Sequence, residues 1–259
     1  MAIKYVVTSG KGGVGKTTIT SNLGLKLAES GYRVVVIDGD LGLNNLDVLT
    51  GVENKAVFDL SDAVEGKCRA KQALVESPLS KNLFVLPSCH TLTSPEITGQ
   101  GVKKVISEIE GLFDYLFIDC PAGIDLGFHR AVSCADRAIV VVAPTITSVR
   151  DADKVISILK SYSVSQIEVI VNRIRGDLVL SGKSLNENDI ENTLKTQILG
   201  VIPDDDNLSL SQGGYLGESA KAVKTIANKL IGKKAKPYDY LKKYTGFWGS
   251  IRKELKRRL

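Results

Sequence analysis

Gly10-Lys11-Gly12-Gly13-Val14-Gly15-Lys16-Thr17, GKGGVGKT at residues 10–17, is the stretch from which the fold can be read. It fits G-x-x-x-x-G-K-[ST], a phosphate-binding loop, and its surroundings agree: an apolar run at 3–8 leads into it and a helical stretch at 16–30 follows. The glycines let the backbone curl so that successive N–H groups face phosphate oxygens, and the helix N-terminus adds its positive end. Lys16 then places its ammonium between the β- and γ-phosphates of a nucleoside triphosphate, and the Thr17 hydroxyl ligates Mg²⁺. The nucleotide-binding set is Gly10, Lys11, Gly12, Gly13, Val14, Gly15, Lys16, Thr17 and Thr18. The competing reading, a glycine-rich turn matched by chance, has to explain strand, loop and helix in register.

Outward from the loop, β-branched runs alternate with amphipathic stretches. Strands are expected at 3–8, 33–38, 83–86, 115–119, 137–143, 166–172 and 198–202, with helices near 16–30, 101–111, 147–161 and 218–231. VVVID (34–38), YLFID (115–119) and AIVVVA (138–143) are nearly all apolar, as strands covered on both sheet faces should be. The alternation predicts right-handed crossovers and a doubly wound, mostly parallel α/β sheet, one P-loop domain over 1–232. Lys-Lys-Ala-Lys-Pro at 233–237 marks its end and opens a basic linker and tail over 233–259.

Two of those strands end in acids. Asp119 closes YLFID as a Walker B aspartate does, and Asp38 closes VVVID with Asp40 just beyond. Carboxylates at the C-terminal ends of central parallel strands face the crevice that holds the phosphate loop. Thr17, Asp38 and Asp119 are therefore the metal candidates, Asp119 directly or through water and Asp38 from behind it. Asp40 is the candidate for positioning or activating the attacking water. A helix cap or a solvated loop acid is the bland alternative, credible for Asp40 and weak for Asp119.

The composition excludes several classes. Apolar residues make up 43% of 259 and the mean hydropathy is +0.04, with no apolar run near the ~18 residues of a membrane span. The chain enters a strand-like run at Ile3, which leaves no room for a secretory signal. Cys68, Cys89, Cys120 and Cys134 form no CxxC pair, which favours a reducing cytoplasm, and Cys89-His90 lacks metal-ligand spacing and reads as structural. Net charge +5 divides unevenly: residues 233–259 carry ten Lys/Arg against Asp239 and Glu254, or +8, and residues 1–232 carry 24 basic against 27 acidic side chains, or −3. A mildly acidic body with a strongly basic tail suggests that the tail meets an anionic partner.

KGGVGKT, with Lys11 ahead of Lys16, resembles the deviant Walker A signature of the ParA/MinD ATPases. DGDLGLNNLD (38–47), IDCPAGID (118–125), TSVRDADKV (147–155), VNR (171–173) and GVIPDD (200–205) narrow the resemblance to the septum-placing branch of that family, and the likeness runs the length of the chain. The resemblance implies an Mg²⁺-dependent ATPase that forms a sandwich homodimer on ATP, with Lys11 reaching the partner's phosphates. Lys11, Lys16 and Asp40 are then the catalytic candidates. It also implies adenine recognition by Asn172, Arg173, Pro203 and Asp204; nothing in their spacing separates adenine from guanine. The implied partners are a division inhibitor (MinC-like) and a spatial activator (MinE-like). Asn44 stands in the switch segment where some relatives would have a basic residue.

In the tail, Leu241, Tyr244, Trp248, Ile251, Leu255 and Leu259 fall on one helical stripe, with Phe247 beside it and Lys/Arg at other positions. Aromatic and aliphatic residues opposite cations are the composition of a helix lying in a membrane interface, which would place the protein on the cytoplasmic face of the inner membrane. A helix docked on the body, a solvated tail and a nucleic-acid arm compete. The net −3 of the body argues against a DNA-partition role, the single cysteines argue against a metallocluster carrier, and the start at Ile3 tilts against a flagellar-placement relative.

Overall fold

The computed structural model describes residues 1–40, 45–88, 97–204 and 217–245. Asn44, Cys89, His90, Phe247, Trp248, Ile251, Leu255 and Leu259 lie outside the described residues. Strands β1 (Ile3–Thr8), β2 (Val34–Asp38), β3 (Val75–Glu76), β4 (Leu83–Leu86), β5 (Tyr115–Asp119), β6 (Arg137–Val142), β7 (Gln166–Ile174) and β8 (Ile198–Pro203) form one sheet in the order β3-β4-β2-β5-β1-β6-β7-β8. Every pairing is parallel except β3 with β4. The two-residue β3 is too short to show a period in sequence.

The near-continuous apolar runs separate into two faces by alternation. Val6, Val35, Ile37, Leu116, Ile118, Val140 and Val142 pack into one core, and Tyr5, Val7, Val34, Val36, Phe117, Ile139 and Val141 into the other. The first core is covered by α4 (Gly99–Ile109), α5 (Leu126–Val132), α6 (Ile146–Leu159) and α8 (Glu187–Leu194), and the second by α1 (Lys16–Glu29) and α9 (Gly217–Leu230). Helix α4 buries only Val102, Val105, Ile106 and Ile109, one face, whereas α1 is buried nearly all round, from Ile19 through Leu25 and again at Leu27 and Ala28. Thr145 caps α6 by accepting the Ser148 N–H at 3.3 Å, which fixes where that helix begins beside the phosphate loop.

The four expected helices stand within two residues of the predicted bounds. Helices α2 (Asn45–Thr50), α3 (Leu60–Val64), α5, α7 (Gly176–Leu180) and α8, none longer than eight residues, are too short to show a period in sequence.

The C-terminal boundary differs from expectation. Lys233–Pro237 has no regular structure, as a linker should, yet the chain then returns to the body. Tyr240 and Tyr244 are 4% and 7% exposed, and Leu241 packs partly buried against the first core. Lys242–Tyr244 is a single 3₁₀ turn. Leu241 and Tyr244, assigned from sequence to a membrane-facing stripe, are therefore held by the domain here. The reason is steric and polar together: a Cβ on Gly176 would meet the Tyr240 carbonyl at 2.7 Å and the Tyr244 ring at 2.8 Å, and the Tyr240 hydroxyl donates to Glu187. Only glycine leaves room for that seat.

Candidate nucleotide site

Strands β1, β2 and β5 end side by side, with Val7 opposite Asp119 and Asp38 opposite Asp119 in register. Parallel strands share a direction, so their C-terminal residues gather at one crevice. The loop leaving β1 crosses it. Gly13 (φ 75°) and Gly15 (φ 98°) take left-handed backbone, which side-chain-bearing residues enter at a cost, and Gly15 is the N-cap of α1. Gly10 is required for a different reason: a Cβ there would lie 2.5 Å from the Asp151 carbonyl carbon and oxygen on α6. Ser9 Oγ donates to the Lys11 carbonyl at 2.8 Å and holds the loop's first bend.

Lys16 is 8% exposed at the start of α1, while Lys11 is exposed on the loop's outer side and Gly12 lies near Ala122. Val14 is buried, and its carbonyl accepts the Asn172 Nδ2–H at 2.8 Å. Asn172, at the end of β7, thereby fastens the loop to the neighbouring strand. Arg173 follows it, exposed and at φ 59°; Pro203 is buried and the Asp204 N–H donates to the Ile174 carbonyl at 3.0 Å. The base-binding candidates thus gather around the ends of β7 and β8.

Asp38 and Asp119 form a buried carboxylate pair. Burial first, then the neighbouring Asp119, pushes Asp38 up to about 8. Burial likewise raises Asp119 to about 6, opposed by hydrogen bonds from Thr17 and Thr20 and by the charge of Lys16. Thr20 Oγ1 donates to Asp119 Oδ1 at 3.2 Å. Asp40 is half-buried and raised by burial, with Lys16 pulling it down, and its N–H donates to Asp38 Oδ1 at 3.0 Å. Two adjacent carboxylates and a threonine hydroxyl make an all-oxygen donor set short of positive charge, which fits a small hard divalent cation. Magnesium keeps several waters and completes its shell with substrate phosphates rather than with a protein cage, so a few protein oxygens suffice.

Sequence reasoning missed three supports. Thr20 sits one turn beyond Thr17, a spacing that could have flagged it. Gly39 is needed because a Cβ would lie 2.6 Å from the Asp119 carbonyl oxygen, and Asp151 is the wall against Gly10. Neither contact has a local signal. Ile124, Leu126 and Ile146 are 47%, 81% and 77% exposed, and Leu126 shares a pocket with Gly39 and Asp40. Leu126 therefore stands exposed at the mouth of the crevice. Cys120, next to Asp119, is buried, and its thiol is pushed up to about 12 by that burial.

With this geometry in view, the comparisons with known proteins are specific. Residues 5–214 match the model of the CobQ/CobB/MinD/ParA nucleotide binding domain. The septum site-determining protein MinD of Thermotoga maritima is 45% identical over 205 residues, 78% of this chain and 76% of that one. The chain belongs to the MinD/ParA family. Among solved structures, the MinC:MinD cell division protein complex of Aquifex aeolicus superposes with a TM-score of 0.86 at 39% identity, covering 92% of this chain and 99% of that chain. The septum site-determining protein MinD of Pyrococcus horikoshii, complexed with Mg-ADP, gives 0.74 at 27% identity over 89% and 96%. That family member holds the nucleotide and metal for which the crevice here has the donors.

Proposed function

We propose that this chain is a magnesium-dependent ATPase that dimerises on ATP, binds an anionic membrane surface through its C-terminal end and places the division septum by recruiting a MinC-like inhibitor. The observation that carries the reading is the phosphate loop over the Asp38–Asp119 pair, in a chain so similar to MinD of the Aquifex MinC:MinD complex. Main-chain amides of Gly12 to Thr17 grip the triphosphate, Lys16 neutralises its β,γ-oxygens, and Asn172 keeps the loop in shape. Arg173, Pro203 and Asp204 flank the adenine. Thr17 and Asp119, with Asp38 behind, hold Mg²⁺, which when bound neutralises charge on the phosphate oxygens. Asp40 orients the attacking water, and a MinE-like partner accelerates hydrolysis.

Dimerisation is supported by exposed side chains. Leu126 and Ile146 are exposed and gain by leaving water, and Lys11 is exposed, as a residue that contacts a partner's phosphates must be. Two facing triphosphates need cations between them. Two tails then meet one bilayer together, and avidity multiplies binding by ~10²–10⁴. Among the described residues no helix is long and apolar enough to cross a membrane; the proposed contact is interfacial and uses the apolar and basic residues that follow Thr245 in the sequence. The test is vesicle co-sedimentation of the full chain with ATP and with ADP, for wild type and Trp248→Glu. Wild type with ATP sediments and the other three combinations stay in solution; equal sedimentation in all four refutes the switch.

A further inference from the structure

The start of α9 and the returning C-terminal segment enclose a groove lined by Glu218, Lys221, Lys236, Tyr238, Lys242 and Lys243. Its acids are already engaged. Glu218 accepts from Lys221 Nζ and from the Tyr238 hydroxyl, each at 2.6 Å, and Asp239 accepts the N–H groups of Leu241 and Lys242 at 3.0 and 3.1 Å. The ammonium groups are not balanced in the same way. Lys236 and Lys242 are exposed and make no ion pair among the described residues, and Lys243 Nζ lies 5.1 Å from the centroid of the buried Tyr244 ring. Four lysines from three stretches of chain thus surround a groove with two carboxylates, one of them ion-paired with Lys221, and the four cations exceed the two anions by two. The Tyr238–Glu218 and Tyr240–Glu187 bonds hold the segment that carries Lys242 and Lys243 against the domain, so the arrangement belongs to the fold rather than to a loose arm.

We propose that this groove binds the headgroup of an anionic phospholipid, so that the folded body itself, and not only the terminal helix, faces the bilayer. The proposal deepens the membrane reading given above and rests on it. Charge complementarity is one argument: an excess of two ammonium groups over the two carboxylates, with Lys236 and Lys242 free of any ion pair among the described residues, matches a phosphodiester in a negatively charged surface. Continuity is the second. The chain leaves the groove at Thr245, and the next residues carry Trp248, Ile251, Arg252 and Lys253. Whatever brings that stretch to a membrane brings the groove to the same headgroup layer. A soluble phosphate gains nothing from this adjacency. The consequence is orientation: a body tied at the groove and at the helix has a fixed side toward the bilayer, whereas a body on a tether does not.

The decisive variant pair lies ahead of the apolar stripe that begins at Leu241. Lys221→Gln/Lys236→Gln in the full chain is compared with Lys103→Gln/Lys104→Gln on α4, exposed on the opposite face of the sheet and equal in charge lost. Binding with ATP is measured on phosphatidylcholine vesicles containing a minority of phosphatidylglycerol. At about fivefold per lysine near an anionic surface, the groove pair weakens binding roughly 10- to 30-fold and the α4 pair less than about twofold. Equal losses in both pairs, or none in the groove pair, overturn the groove while leaving the membrane reading intact. Wild type that ignores the vesicles overturns both. Displacement from vesicles by inorganic phosphate at matched ionic strength makes the groove a soluble-anion site, and a groove pair that loses only duplex DNA binding makes it a nucleic-acid surface; either result refutes the lipid assignment.

Discussion

Gly10→Ala is the most searching perturbation of the site. Gly10 has no need of left-handed backbone; what it lacks is space. The added methyl would stand 2.5 Å from both the carbonyl carbon and oxygen of Asp151 and 2.7 Å from its Cβ. Ordinary carbon contacts lie near ~3.5 Å, so loop and helix must part by about 1 Å. The obstacle is the main chain of α6, which has no rotamer to swing away. Forced overpacking of this kind costs ~1–3 kcal/mol. Because the contact exists without nucleotide, urea unfolding of the apoprotein shifts by that amount. The displaced loop also presents its amides off the phosphates, and the same energy taken from binding lowers Mg-ATP affinity between about fivefold and 150-fold by calorimetry. Gly13→Ala is the control, since it meets nothing within 4 Å but sits at φ 75° and bears only a backbone cost of ~1–2 kcal/mol. A Gly10→Ala protein with an unchanged urea midpoint and Mg-ATP affinity within about twofold of wild type would refute the tight packing of loop on α6.

Three other outcomes follow from the same structure. Asn172→Ala leaves the buried Val14 carbonyl without its 2.8 Å donor, costing ~1–3 kcal/mol, and weakens nucleotide binding in calorimetry although no phosphate is touched; unchanged affinity counts against the fastening. Asp38, raised to about 8 when folded, keeps its proton where the unfolded chain, at ~3.9, has lost it. The unfolded state then binds fewer protons, so metal- and nucleotide-free protein loses stability as pH rises from about 4 to about 8. Asp119, raised to about 6, keeps a decline of its own below that pH, so Asp38→Asn flattens urea midpoints between about 6 and about 8, and parallel curves for the two proteins in that window contradict the burial argument. Tyr240→Phe deprives Glu187 of its donor, a loss of ~1.5–3 kcal/mol for a bond to a charged acceptor, and hydrogen exchange across 238–245 rises; protection equal to wild type means that packing alone holds the segment.

The sequence by itself determined the long parallel strands and the place of the phosphate loop between β1 and α1. Continuous apolar runs such as VVVID and YLFID are stable only when both faces are covered, and a GKGGVGKT loop between strand and helix has one established use, so strand positions and phosphate-loop residues were legible locally. What only the tertiary structure decided are contacts between stretches far apart in the chain: Gly10 against Asp151, Asn172 on Val14, Gly39 under the Asp119 carbonyl. The same holds for Tyr240 and Tyr244. The spacing of Tyr244 with Leu241 fits a helical stripe, but a periodic pattern records only that a face is apolar, not whether lipid or protein covers it. The glycine at 176 and the carboxylate at 187, more than fifty residues upstream, settle that those rings belong to the domain.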